Sequence, residues 1–340
     1  FMSIVSRIKI LAQLDISNNR VPQDGRFSVR LDKKEVNIRV SSLPTIYGEN
    51  IVMRLLDSSA GVYTLEQLGM SEVSRKHIDY TINLPHGMTL SNGPTGSGKT
   101  TSLYSILNML NKPDINIITV EDPVEYRMEK IRQVQLNTKA GMNFAGSLRS
   151  ILRQDPDVIM VGEIRDKETA GVAVQAALTG HKVLSTIHTN DATGAITRLI
   201  NMEIEPFLIA SVLNVSFAQR LVRTICPHCK EMYQPRPEIM KFWGFEQITT
   251  AKFFKGRGCQ QCLNTGYKGR TGIHEVLVID DDIKSMIVKN MSATEIYRAS
   301  VEMKKLIPLR NDAAQKILQA GLEIRPVRSC PSIARPSGRE

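Results

Sequence analysis

Apolar positions along the chain switch between two spacings, and each switch marks a change of element. Ile4, Val5, Ile8, Leu11 and Ala12 in "FMSIVSRIKILAQLDI" recur at helical spacing, so the chain reads as beginning within a domain. The stretches "RFSVRL", "EVNIRVSSL" and "NIVMRLL" then alternate apolar and polar positions, with turn-prone "PQDG" and "PTIYGEN" between them. Together these predict a small N-terminal α+β domain over residues 1–57. A connector at 58–64 leads to residues 65–222, where short buried-strand patterns alternate with helical ones, as a mostly parallel sheet requires. Residues 223–322 carry cysteines and then helical patterns. The segment 323–340, "EIRPVRSCPSIARPSGRE", has no apolar periodicity and reads as a disordered or appended tail.

Composition narrows the class without naming a function. With 42% hydrophobic and 23% charged residues, the chain reads as a soluble globular protein. It shows no apolar run of about 18 residues and no signal-peptide pattern, which makes the cytoplasm the default compartment. Lys and Arg number 44 against 34 Asp and Glu, a net charge of +10. Such an excess suits nucleic acid, a lipid surface or nucleotide phosphate. The basic residues are scattered, so charge alone does not separate these from a merely soluble surface.

One stretch departs from both spacings. "TLSNGPTGSGKTTSLYSILNML" (89–110) crowds glycines and a proline ahead of a lysine and three hydroxyl residues. Such a run costs backbone entropy, which some interaction must offset. Gly93, Pro94, Thr95, Gly96, Ser97, Gly98, Lys99 and Thr100 fit G-x-x-x-x-G-K-[ST], with Thr101 completing the run. "GMTL" before them suits a buried strand, and Leu103, Ile106, Leu107 and Leu110 after them mark one helix face. In that context the glycines let backbone N–H groups approach phosphate oxygens at a helix N-terminus. Lys99 then reaches the β and γ phosphates of ATP, and Thr100 ligates Mg²⁺.

Hydrolysis needs carboxylates as well, and they follow apolar runs in two places. "INIITVEDPVEY" ends in Glu121, Asp122 and Glu125, and "DVIMVGEIRD" ends in Glu163. Ligands of parallel α/β sheets sit at the carboxyl ends of strands, so both groups can face the phosphates. Gly162 stands where the acidic pair of a Walker B strand has its Asp, which leaves Glu163 to act on Mg²⁺ through water. Either Glu121 or Glu125 then polarises the attacking water. A further run, "KVLSTIHTND", ends at His188, which suits either a structural histidine or a sensor of the γ-phosphate.

Cys226 and Cys229 form "CPHC", and Cys259 and Cys262 form "CQQC". Two C-x₂-C pairs can set four thiolates around Zn²⁺, and with no open position such a metal is structural. The span between the pairs is longer than usual for this pattern, so reduced structural thiols remain the alternative, as does His228 replacing one ligand. Cys330 lies in the tail and enters neither reading.

With these segments in view, the chain resembles the ATPases of type II secretion and type IV pilus assembly, the GspE/PilB family. The resemblance rests on "VPQDGRFSVR", "GPTGSGKTT", "ITVEDPVEY", "LRSILRQDPDVIMVGEIRD", "ALTGHKVLSTIHTNDA", "QRLVRTICPHC" and "GYKGRTGIHEVL", in that order. It implies an α/β fold with a RecA-like P-loop NTPase core, a small N-terminal α+β (PAS-like) domain and a zinc-binding C-terminal subdomain. It implies a hexamer, peripheral to the inner face of a bacterial inner membrane, driving an integral-membrane platform protein. It also implies arginines that reach the phosphates: Arg39 in "IRVSSLP", Arg54 in "VMRLLD", and Arg149 and Arg153 in "LRSILRQD". The last two stand i, i+4, so one helix face can present both. Within the family the zinc module points to assembly or secretion and away from pilus retraction.

Two other classes compete. A nucleic-acid motor on the same core accords with the +10 charge, but aromatic residues are only 5% of the chain, so stacking platforms are scarce. A nucleotide-gated scaffold would bind ATP without turnover, against which the carboxylates and arginines argue.

Overall fold

The structure is a computed structural model that describes residues 2–31, 34–57, 62–248, 250–319 and 321–323. Positions 58–61 of the expected connector and 324–340 of the expected tail, Cys330 included, lie outside the described residues. The chain forms two compact units, residues 1–62 with 125–127, and residues 63–124 with 128–340.

In the first unit, helix α1 (Met2–Leu11) precedes strands β1 (Gln23–Leu31), β2 (Lys34–Thr45) and β3 (Gly48–Asp57). The strands form an antiparallel meander in the order β1-β2-β3. Ala12, Ile38 and Val40 make its core, with Ile8, Phe27, Val29 and Ile51 packed against them. The buried stripe of α1 is not the one apolarity alone predicts. Ile4 and Leu11 are exposed, whereas Lys9 is 1% exposed and stands on the core side with Val5 and Ala12. Its ammonium is held by Glu49 Oε1 at 2.8 Å and the Asn18 carbonyl at 2.9 Å, and Glu49 also accepts from Ser42 Oγ. A buried charge is tolerable only when paired in this way.

The second unit is built on a seven-stranded sheet in the order β12-β9-β4-β8-β7-β5-β6. Its strands are β4 (Gly87–Asn92), β5 (Ile117–Glu121), β6 (Arg132–Gln135), β7 (Val158–Val161), β8 (Lys182–Ile187), β9 (Leu213–Ile225) and β12 (Tyr267–Val278). All neighbouring pairs are parallel except β12 with β9. Every residue of β4, β5 and β7 is buried, the polar Thr89, Ser91, Asn92, Thr119 and Glu121 included, as strands covered on both faces require. Helix α2 (Glu72–Ile82) precedes the sheet, and α3 (Lys99–Leu110), α4 (Phe144–Ile151), α5 (Lys167–Leu178), α6 (Gly194–Asn201) and α7 (Pro206–Val212) connect its strands.

Strands β10 (Lys230–Met232) and β11 (Phe254–Gly256) form a separate antiparallel pair, with α8 (Pro237–Trp243) between them. Three helices follow β12: α9 (Asp281–Val288), α10 (Ala293–Glu302) and α11 (Leu309–Leu318). Residue 222, the expected division between the core and the cysteine-bearing region, falls within β9. That strand pairs with β12 from Val215 opposite Val278 to Ile225 opposite Tyr267, so the returning chain extends the same sheet. Among the described residues no helix is long and apolar enough to cross a membrane.

Candidate functional sites: a phosphate loop and a thiol cluster

The glycine run leaves the carboxyl end of β4 and turns directly into α3. Gly93 has φ 147°, and a Cβ there would lie 2.4 Å from Ser97 Oγ and 2.8 Å from the Gln219 carbonyl. No side chain caps the helix at Gly98, itself left-handed at φ 90°, so the first-turn N–H groups of α3 are not claimed by a capping side chain. Lys99, the first residue of α3, is 8% exposed, and its Nζ donates to the carbonyls of Gly93 (2.8 Å) and Pro94 (3.0 Å). Burial pushes the Lys99 ammonium down to about 8, with the Glu163 charge opposing the shift and Arg220 adding to it.

Strand order decides which predicted residues meet. Since β8 lies between β4 and β7, the ends of these three strands adjoin. Glu163, just beyond β7, has Oε2 at 3.5 Å from His188 Nε2, just beyond β8, and at 2.6 Å from Arg165 Nε. Burial lowers the His188 pKa and the charge of Lys99 adds to this, against Glu163, so the imidazole is neutral near pH 7. Gly162 has a steric reason in this fold. A Cβ there would stand 3.3 Å from Glu121 Cα and from the Val120 carbonyl, where β5 passes. The sequence reading did not single out Arg165; its place two residues after Glu163 was the available signal.

Glu121 ends β5 in a different setting. It is 2% exposed, and its two oxygens accept from Thr119 Oγ1 and from Tyr104 OH, each at 2.5 Å, with Gln133 Nε2 at 3.3 Å. Tyr104 belongs to α3, so this carboxylate ties the phosphate-loop helix to β5. Glu125 falls in the stretch 125–127 that groups with the first unit.

The four arginines separate in the same way. Arg39 on β2 stands opposite Arg54 on β3, and Arg26 on β1 stands opposite Arg39, so three arginines share one cross-strand row of the first unit. Like charges directly opposite are unfavourable in a sheet. Sequence reasoning missed Arg26, whose only signal was the register. In the second unit, α4 ends at Ile151, so Arg149 lies on the helix and Arg153 in the turn after it, not on one continuous helix face. The turn leads to Asp155, at φ 49°, and Pro156, which no helix continues through. Arg149 pairs with Glu168 at 2.9 Å, and Arg153 donates to Ser150 Oγ.

The thiol cluster is more closed. The ligand atoms of Cys226, Cys229, Cys259 and Cys262 lie within 4.8 Å of one another, and three of these residues are buried. The sulfurs of Cys226 and Cys259 are 3.9 Å apart, those of Cys229 and Cys262 3.8 Å, and those of Cys259 and Cys262 3.7 Å. Four sulfurs at about 2.3 Å from a tetrahedral Zn²⁺ stand about 3.8 Å apart, so the donor set fits that ion. Backbone N–H groups of Cys259 and Gly266 point at Cys262 Sγ, and that of Gly258 at Cys229 Sγ. Burial raises these thiols, and at Cys262 the two N–H donors together with the neighbouring Cys259 and Cys229 thiols oppose it and lower the pKa, while the Cys229 thiol coupled to it is raised. His228 is exposed and stands outside the cluster.

The family described as type II/IV secretion system protein matches residues 1–328. The chain is 53% identical over 316 residues to the type II secretion system protein E of Pseudomonas aeruginosa, covering 93% of this chain and 62% of that protein. To the type IV pilus assembly ATPase PilB of Thermus thermophilus it is 48% identical over 319 residues, covering 93% of this chain and 36% of that one. The crystal structure of the pilus retraction motor PilT with bound ADP aligns at TM-score 0.58 and 25% identity, over 86% of this chain and 77% of that one. The Yersinia pseudotuberculosis ATPase DotB shares the fold at TM-score 0.70 and 21% identity, over 95% and 80% of the two chains. A profile match through residue 328, joined to 53% identity with a type II secretion protein, shows that this chain belongs to the type II/IV secretion system protein family.

Proposed function

We propose that the chain is the motor portion of a Mg²⁺-dependent ATPase that powers type II protein secretion or type IV pilus assembly. The observation that carries this is the convergence of Lys99, Glu163 and His188 at three adjoining strand ends beside the phosphate loop. Names of relatives in both systems support the coupling to secretion or pilus assembly.

Residues Gly93 to Thr101 cradle the phosphates of ATP, and Lys99 leaves the loop carbonyls for the β and γ phosphates. Thr100 and, through water, Glu163 would hold Mg²⁺, which neutralises phosphate charge when bound. His188, neutral and beside Glu163, is suited to donate a hydrogen bond to the γ-phosphate. Either Glu121, which already accepts from Thr119 and Tyr104, or Glu125 polarises the attacking water in this reading. Arg39, Arg54, Arg149 and Arg153 supply guanidinium groups to the transferred phosphoryl, and their exposure suits delivery across subunits of a hexamer. Cys226, Cys229, Cys259 and Cys262 would hold a structural Zn²⁺ that performs no step of the reaction. Partners in this reading are other copies of the chain and an inner-membrane platform protein at the cytoplasmic face, with no nucleic acid. The limits read from the sequence, 1–57, 65–222 and 223–322, are proposed as a functional division and not a structural one, since residue 222 lies within β9 and β12 extends the same sheet.

The test is phosphate release per subunit as a function of protein concentration, with Mg²⁺ and without DNA. Specific activity that climbs with concentration is the expected result, because assembly completes the site. Tight ATP retention with no phosphate release would instead favour the scaffold reading. Stimulation by DNA would favour the nucleic-acid motor.

A further inference from the structure

The segment "GIHEVL" places a fully buried glutamate, Glu275, on β12, on the far side of β9 from the phosphate loop. Its Oε1 accepts from the backbone N–H of Ala192 at 2.8 Å, and its Oε2 from that of Leu309 at 3.3 Å. Leu309 opens α11, where Pro308 offers no capping side chain, so the carboxylate serves the helix N-terminus. Ala192 belongs to the loop that begins at His188.

That loop is gripped at three further points. Ser216 Oγ donates to the Ala192 carbonyl at 2.6 Å, and Arg220 Nη2 to the Asn190 carbonyl at 2.8 Å. Asp191 Oδ1 closes it locally by accepting from the Gly194 N–H at 2.7 Å. Ser216 accepts in turn from Asn92 Nδ2 at 2.6 Å, and Asn92 is the residue before Gly93. A continuous buried path of hydrogen bonds thus runs from the start of α11 through Glu275, Ala192, Ser216 and Asn92 to the phosphate loop.

We infer that Glu275 is a positioning residue for ATP turnover: it holds the His188 loop in register with the phosphate loop and ties both to the C-terminal helices. This rests on the ATPase reading given above. Groups facing Glu275 are Asp191 of the loop, Arg220 of β9, Tyr297 of α10 and the two backbone N–H donors. Burial pushes its carboxyl up to about 7, with Asp191 adding to the shift and the N–H donors and Arg220 opposing it. The ionised form accepts from both N–H groups at once, and protonation converts one of its oxygens to a donor.

The experiment compares Glu275→Ala, Glu275→Gln and Ser216→Ala in the full chain, reading kcat and KM for ATP, affinity for a fluorescent ATP analogue, and amide hydrogen exchange of residues 188–194. Glu275→Ala is expected to lower kcat about tenfold, keep KM and analogue affinity within about threefold, and speed exchange in the loop. Glu275→Gln, whose carbonyl can still accept from Ala192, recovers most of that loss. Ser216→Ala lowers kcat in the same direction, and combining it with Glu275→Ala costs less than the sum. A kcat for Glu275→Ala within twofold of the parent chain overturns the inference, as does a kcat loss matched by the loss of folded protein at the assay temperature. If the parent chain binds the analogue and releases no phosphate, the ATPase reading fails instead. The exchange data still decide for Glu275 in that case, and an unchanged loop in Glu275→Ala overturns its positioning role.

Discussion

The phosphate-loop site and the thiol cluster are both assembled from separated segments, yet they differ in what they leave open. At the phosphate loop, Glu163 and Lys99 are mostly covered while the His188 and Arg165 side chains stand 43% and 70% exposed, so ligand atoms can enter among groups already in place. In the thiol cluster the four sulfurs face one another, and the backbone N–H groups around them point at sulfur. The first arrangement suits a ligand that comes and goes, and the second an ion that stays. On the proposed reading, partial exposure of polar groups separates a site for chemistry from a staple more clearly than residue type does.

The contrast can be broken or sharpened by substitution. Lys99→Ala should reduce phosphate release at least about a hundredfold, the scale of removing a preorganised donor from a developing charge, while leaving bound zinc and melting temperature nearly unchanged. Loss of zinc in the same variant would show that the two regions are one unit. Cys226→Ser should do the reverse: zinc per chain drops sharply and stability falls by about 2 kcal/mol or more, with KM for ATP within about twofold. Metal analysis with thermal unfolding tests this, and unchanged zinc would defeat the ligand assignment. Glu163→Gln should lower turnover at least about tenfold with analogue affinity largely retained, and near-normal turnover would refute its role. Tyr104→Phe sharpens the difference within the proposed nucleotide site itself. It removes one donor from the buried Glu121 and should cost about 1 kcal/mol of stability with turnover within about threefold. A loss of turnover as large as that of Glu163→Gln would mean that Glu121 takes part in the reaction directly.

Much of this was legible in the chain because it is local. The phosphate loop is one contiguous run whose glycines Gly93, Gly96 and Gly98 all take positive φ, so the motif and its strand and helix could be read together. The C-x₂-C pairs are equally local, and their geometry within each pair follows from a tight turn. Alternating strand and helix patterns likewise predicted a mostly parallel sheet, and the sheet carries one antiparallel edge in β12.

Other features waited for the tertiary structure because they depend on strand order, register and burial across long separations. Apolar residues alone predict one helical stripe for α1, but Glu49, forty residues away in sequence, lets Lys9 take a core place. Glu121 and Glu163 look alike in sequence, each following an apolar run. Only the order β4-β8-β7-β5 brings one beside His188 and seals the other against Tyr104. Arg26 and Glu275 carried no local signal at all: register set the first opposite Arg39, and chain return along β9 set the second beneath the His188 loop. Groups whose partners lie within a turn or two of backbone could be read from residue order. Which charged groups meet could not, since a carboxylate's environment is made by segments that periodicity cannot place.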